Sequence, residues 1–157
     1  MTVMGPPPGS PAPDVDELRA VLVGHRFPGA TVRIEEYEAW LGHDAMCVPH
    51  RDDGRLDPLW ILVVGLRGLG IGIGGVIELG RPGPADSVLF GGLELEQEVP
   101  LRTGVDYRVS GAITGVERHV GQRAGVFDQI TFTLDIRAGT GGLAARATNR
   151  FLFRRAG

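Results

Sequence analysis

The chain has 157 residues, enough for one domain with its own core. Charged residues make up 22% and hydrophobic ones 43%, an ordinary soluble balance. A net charge of −3, with arginines scattered along the chain, speaks against a nucleic-acid ligand. A single cysteine, Cys47, excludes an internal disulfide.

The first stretch, MTVMGPPPGSPAPDVDE, has neither the basic start nor the apolar run of a signal peptide. Its Pro and Gly content reads as a disordered tail over residues 1–13, followed by one domain over 14–157. A cytoplasmic location is the default expectation. DVDELRAVLVG then carries acidic residues at its start, Val15, Leu18, Val21 and Leu22 at helical spacing, and Gly24 as a stop, so a short helix is expected. ATVRI reads as a brief strand. EEYEAWLG reads as a second short helix with Tyr37, Trp40 and Leu41 on one side, and HDAMCVPHRDDGR as a polar loop.

The next stretch, PLWILVVGLRGLGIGIGGVIELG at 58–80, admits three readings. Its length suits a membrane span, but Arg67 lies near its middle, and a charge at a bilayer centre costs at least about 2.5 kcal/mol. Its glycines suggest a dinucleotide loop, but that fingerprint needs a βαβ unit, and the chain beyond residue 86 reads as antiparallel sheet. The third reading is a helix buried on most sides. Asp57 is a suitable N-cap and Pro58 a suitable first-turn residue. Six interior glycines lower helix propensity and make sense where another backbone comes close; the later ones equally suit a helix end, with IGGVIEL extended.

In that later region the pattern turns to period two. VLFGGLELEQEV sets Leu93 and Leu95 against Glu94, Glu96 and Glu98, and DYRVSGAITGVERHV places Tyr107, Val109 and Ile113 on one face. DQITFTLDIR sets Ile130, Phe132, Leu134 and Ile136 against polar residues, and LAARATNRFLFRR closes the series less cleanly. Gly121 with Gly125, and the AGTGG run, read as hairpin connections. The expected class is α+β: a single hotdog domain, with a long antiparallel sheet wrapped around one central apolar helix.

These segments resemble the MaoC-like hydratases and dehydratases, above all the hotdog domain found as the N-terminal half of two-hotdog enzymes and in dehydratases of the type I fatty acid synthase kind. VRIEEYEAWLGHD is similar to the family's strand, short helix and Gly-Asp, DPLWILVVGLRGLG sits where its central helix belongs, and LFGGLELEQEVPLRTGVDYRVSGAITGVERHVGQRAGVFDQITFTLDI resembles its strand region. The similarity covers roughly residues 30 to 155, with VPLRTGVDY its most specific part. The resemblance implies an acyl thioester, on coenzyme A or acyl carrier protein, as ligand. It implies no other cofactor, and a hotdog dimer with a second copy or with another chain.

Active members of that family pair an Asp with a His five positions on, to activate water for addition to a 2-enoyl thioester, or for the reverse dehydration. N–H donors at the start of the central helix receive the developing enolate oxygen. The matching place here, GHDAMCVPHRDDG, has Asp44 after Gly42 and an intervening His43, and His50 lies six residues beyond Asp44. Either Asp44 and His50 form an acid/base pair on a bulged loop, or they are solvated residues of a chain that has lost the site and acts as the non-catalytic partner of a catalytic hotdog chain. Asp57 and Pro58 at the helix start, and Arg118 and Arg123 in ERHVGQRAG as a basic rim for phosphates, are the candidate substrate contacts. Glu78 would be the carboxylate of a thioesterase, and an acyl-CoA binding module without turnover is a further alternative. His25, His119 and Cys47 lack the spacing of metal ligands or of a nucleophile site, and no metal is expected.

Overall fold

The computed structural model describes residues 11–139 and 141–156, so most of the segment expected to be a tail lies outside them. The first helix, α1 (Val15–Leu22), starts where the sequence places it, because the Asp14 carboxylate accepts the Glu17 N–H at 2.9 Å. It buries Leu18 and Leu22 and leaves Val21 exposed. β1 (Ala30–Arg33) and α2 (Glu36–Ala45) come next, the latter opened by reciprocal capping between Glu35 and Glu38.

The apolar stretch 58–80 divides into two short helices, α3 (Trp60–Arg67) and α4 (Ile73–Leu79). IGGVIEL is therefore helical, not extended. The single helix ends at Gly68, over which α3 meets the sheet. Any Cβ at Gly68 would run into the Val109 side chain of the third strand, so only glycine allows the approach. Asp57 stands two residues ahead of the N-cap, Leu59, and caps the turn leading into it. Among the described residues no helix is long and apolar enough to cross a membrane.

Four long strands complete the fold: β2 (Ser87–Gln97), β3 (Asp106–Gly121), β4 (Gly125–Ala138) and β5 (Leu143–Arg154). All neighbours pair antiparallel in the order β1-β3-β4-β5-β2. β2 is thus an edge strand beside β5, and the connection after it crosses to the far half of the sheet, where a simple succession of hairpins would have put it beside β3. Leu101 in that connection is buried, and its carbonyl accepts the Leu56 N–H just ahead of α3. The alternation read from the sequence is the burial pattern. Val109, Ile113, Ile130, Phe132, Leu134, Ile136, Ala147, Phe151 and Phe153 form the inner face, with Trp60, Ile61 and Val64 of α3 in the same core. α3 touches β1, β3, β4 and β5, so the sheet curls around it.

Candidate functional site

The segment from α2 to α3 carries most of the candidate residues, and its local structure decides how they meet. α2 continues three residues past Gly42, so His43 and Asp44 belong to its last turn and not to a loop. His43 follows Ala39 at a spacing of four on the buried face. Asp44, about 100° further round the helix, is exposed. Tyr37, Trp40 and Leu41 share the outward side and are more than half exposed. Beyond Met46 the chain turns at Cys47, which has a positive φ of 56°. It then folds back, with the Val48 N–H donating to the His43 carbonyl.

This return brings His50 to His43, with their Nδ1 atoms 3.5 Å apart. His43 Nε2 accepts the Asp57 N–H at 3.1 Å. An accepting Nε2 leaves the ring proton on Nδ1, so His43 donates and His50 Nδ1 accepts. The indole of Trp60 stands edge-on to His43 and lies close against Gly42, where any side chain would strike the ring. A buried histidine thereby ties the end of α2 to the start of α3. Among the described residues no hydrogen bond joins Asp44 to His50.

A cleft of about 410 Å³ opens beside this junction, lined by His43, Val48, Pro49, Arg51, Arg55, Leu56, Asp57, Pro58, Gln97 and Pro100. The Asp57 carboxylate faces back into its own turn, with Oδ1 taking the Leu59 N–H at 2.9 Å. The next N–H groups, on Trp60 and Ile61, donate to the carbonyls of Asp57 and Pro58. At the rim, Arg51 and Arg55 converge on Asp53, and Arg102 donates to the Asp53 carbonyl at 2.9 Å. The Arg55 backbone N–H, then the Arg51 guanidinium, hold the Asp53 carboxyl below its ordinary range. His50 lines a second, more open hollow of about 460 Å³ with Glu36, Tyr37 and Trp40.

Arg118 and Arg123 lie elsewhere. Arg118 is 11 positions along β3 from Tyr107, whose hydroxyl takes the Arg102 N–H, a path of about 36 Å along the strand. Its guanidinium is engaged in two bonds to Asp128, at 2.7 and 2.9 Å, and one to the Pro13 carbonyl. Asp128 is fully buried and also receives Arg155, which reaches on to Asp86 and to the Gly80 and Arg81 carbonyls. Burial pushes the carboxyls of Asp128 and Asp86 up. Hydrogen bonds and charge outweigh it, from Arg118 and Arg155 at Asp128 and from the Gly83 and Ala156 N–H groups and Arg155 at Asp86, and hold both below the ordinary range. Arg123 is exposed at the β3–β4 hairpin tip, and Glu78 is exposed on α4.

Of the six candidates, Asp57, Pro58 and His50 therefore lie close to one another, Asp44 is close in sequence but turned outward, and the two arginines sit at the far end of the sheet. The residue that sequence reasoning passed over is His43, counted there only as an insertion. Its signal was the spacing from Ala39, legible once α2 is allowed to run to Ala45.

No family profile and no curated protein sequence matches the chain. Solved structures do. A MaoC-like dehydratase from Rhodospirillum rubrum superposes with a TM-score of 0.56 at 18% identity, over 87% of this chain and 96% of that one. The HadBC complex of Mycobacterium tuberculosis, a 3R-hydroxyacyl-ACP dehydratase, gives 0.60 at 11% identity, over 82% and 93%. A hot-dog-like protein from Thermanaerovibrio acidaminovorans gives 0.57 at 11% identity, over 89% and 87%. With its five-stranded curled sheet around α3, the chain has the hotdog fold.

Proposed function

We propose that this chain is a MaoC-like hotdog subunit that binds an acyl thioester, carried on coenzyme A or acyl carrier protein, and acts as the non-catalytic partner of a hotdog chain holding the acid/base pair of an enoyl-thioester hydratase or 3-hydroxyacyl dehydratase. The observation that carries the reading is the state of the α2–α3 junction. His50 is paired with His43, Asp44 faces outward, and the N–H donors entering α3 are taken by His43, Asp57 and the turn itself. An acid/base pair and an open oxyanion site are the two things hydration needs, and both are otherwise engaged here. The cleft, with its basic rim at Arg51 and Arg55, remains suited to an anionic thioester carrier.

Pairing with a second hotdog is supported by the edge. Among the described residues β2 pairs with β5 on one side only, and Leu89 and Phe90 on it are more than half exposed. HadBC, which shares the fold, is itself a complex.

The test monitors loss of enoyl absorbance with crotonyl-CoA and longer 2-enoyl-CoAs. The purified chain is expected to be inert, and to raise the activity or stability of a second hotdog chain bearing an intact pair. Turnover by the isolated chain that Asp44→Asn or His50→Ala abolishes would refute the partner role.

A further inference from the structure

Helical spacing puts Tyr37, Trp40 and Leu41 on one side of α2, and the fold leaves that side uncovered. Tyr37 is 67% exposed and Trp40 56%. With Glu36 and His50 they line the hollow of about 460 Å³. Among the described residues neither ring pairs with another aromatic, and no arginine stands over either of them. Two large aromatic side chains thus meet in one hollow with no protein partner.

The charge around them has one sign. Residues 35–45 carry four carboxylates and neither Lys nor Arg. Glu35 and Glu38 are engaged, because they cap α2 reciprocally and Glu38 takes Arg67 at 3.0 Å. Glu36 and Asp44 are exposed, and among the described residues no ion pair engages them. They stand four positions before and four positions after Trp40, so an unpaired carboxylate lies one turn to each side of the indole on the same row of the helix. Tyr37, three positions from Trp40, shares that face. His50 adds no charge while its Nδ1 accepts from His43. Arg51, the next residue, lines the His43 cleft instead and is paired with Asp53 at 3.3 Å.

We propose that this hollow is a binding site for a small organic cation bearing a quaternary ammonium group. The faces of aromatic rings carry the negative end of their quadrupole and attract a cation placed over them, and Glu36 and Asp44 supply the opposite full charge. An anion in the same place would meet both carboxylates. A primary ammonium is a strongly hydrated point charge with three N–H groups to satisfy, and ring faces offer it no lone pair. A cation sheathed in methyl groups has no N–H to satisfy, and its methyls gain contact with Tyr37 and Trp40. The site is separate from the thioester cleft and stands whether or not that cleft takes an acyl carrier.

The experiment is an NMR titration of the isotope-labelled full chain with choline chloride at constant ionic strength. A parallel titration uses neohexyl alcohol, the same molecule with carbon in place of nitrogen and no charge. Choline is expected to give saturating shifts of the Trp40 indole N–H and the α2 amides while the buried Trp60 indole stays in place, and to bind at least about fivefold more tightly than the alcohol. Trp40→Leu, and Glu36→Gln combined with Asp44→Asn, are each expected to weaken choline binding at least about fivefold. All three positions are exposed, so an unchanged denaturation midpoint shows that the variants are folded. Shifts that grow linearly without saturating, saturable shifts that leave Trp40 silent, or equal affinity for choline and the alcohol would each overturn the inference. The wild-type comparison needs no variant to fold.

Discussion

Replacing Arg155 with methionine removes the centre of the charged network at the far end of the sheet. The Arg155 side chain is 1% exposed, and its guanidinium donates to Asp128 at 2.8 Å, Asp86 at 3.0 Å, and the Gly80 and Arg81 carbonyls at 2.8 and 3.2 Å. Methionine keeps most of the volume and none of the donors. Asp128, fully buried, would keep Arg118, while Asp86 would keep only the Gly83 and Ala156 N–H groups. Breaking a buried pair from one side costs about 3–5 kcal/mol, since the remaining charge stays desolvated. That is a large share of the roughly 5–15 kcal/mol that holds a typical domain. Chemical denaturation monitored by tryptophan fluorescence should therefore show a markedly lower midpoint at unchanged slope. The pH dependence is a second check. Both Asp86 and Asp128 sit below their ordinary range when folded, so their contribution is complete above the unfolded carboxylate value. It is lost as pH falls through the folded one, beginning near pH 4. The wild type should lose stability on that acid limb, and its advantage over Arg155→Met should narrow there. A cost below about 1 kcal/mol, or a gap that stays constant down the acid limb, would refute the assignment of the network as a principal tie of the fold.

Two further substitutions probe the site and its support. His43→Ala should cost about 2–4 kcal/mol, through lost packing against Trp60 and an unpaired Asp57 N–H, whereas Asp44→Ala should stay within about 0.5 kcal/mol; paired denaturation curves compare them, and equal costs would mean that His43 is not the tie between α2 and α3. Gly68→Ala drives a methyl into Val109 and should destabilise by at least about 1–3 kcal/mol, against the small gain that Gly→Ala brings in an unhindered helix end; a thermal midpoint at or above wild type would show that α3 can lift from the sheet.

The α2–α3 segment shows where local reading runs out. With the helix ended at Gly42, His43, Asp44 and His50 are three residues of one polar loop, and the Asp–His spacing is the natural pair to consider. Extending the helix by one turn places His43 inward and Asp44 outward, and the inward side of that turn packs on Trp60, eighteen positions from Gly42. Arg118 likewise reads as a solvated rim residue, because nothing nearby in sequence announces that Asp128 is buried. Tyr37, Trp40 and Leu41 do share one side, as their spacing requires, but which side faces the core is a property of the neighbours.

Features under short-range chemical control are legible along the chain. Alternation in DQITFTLDIR assigns inner and outer faces of a strand, the Asp14 carboxylate starts α1, and the apolar run from Trp60 to Val64 becomes helix with Trp60, Ile61 and Val64 in the core. Resemblance to MaoC-like proteins rested on that order of elements, and the fold agrees with it. Tertiary structure alone decided that β2 closes the sheet beside β5, that the glycine run splits the buried helix at Val109, and that Arg155 gathers Asp86 and Asp128. It also seated a bare amide at Asn149 in an apolar floor. The physical reason is common to these: a periodicity of two or of 3.6 is written within a few residues, whereas pairing partners, steric stops and the burial of a charge arise only when distant segments compete for the same space.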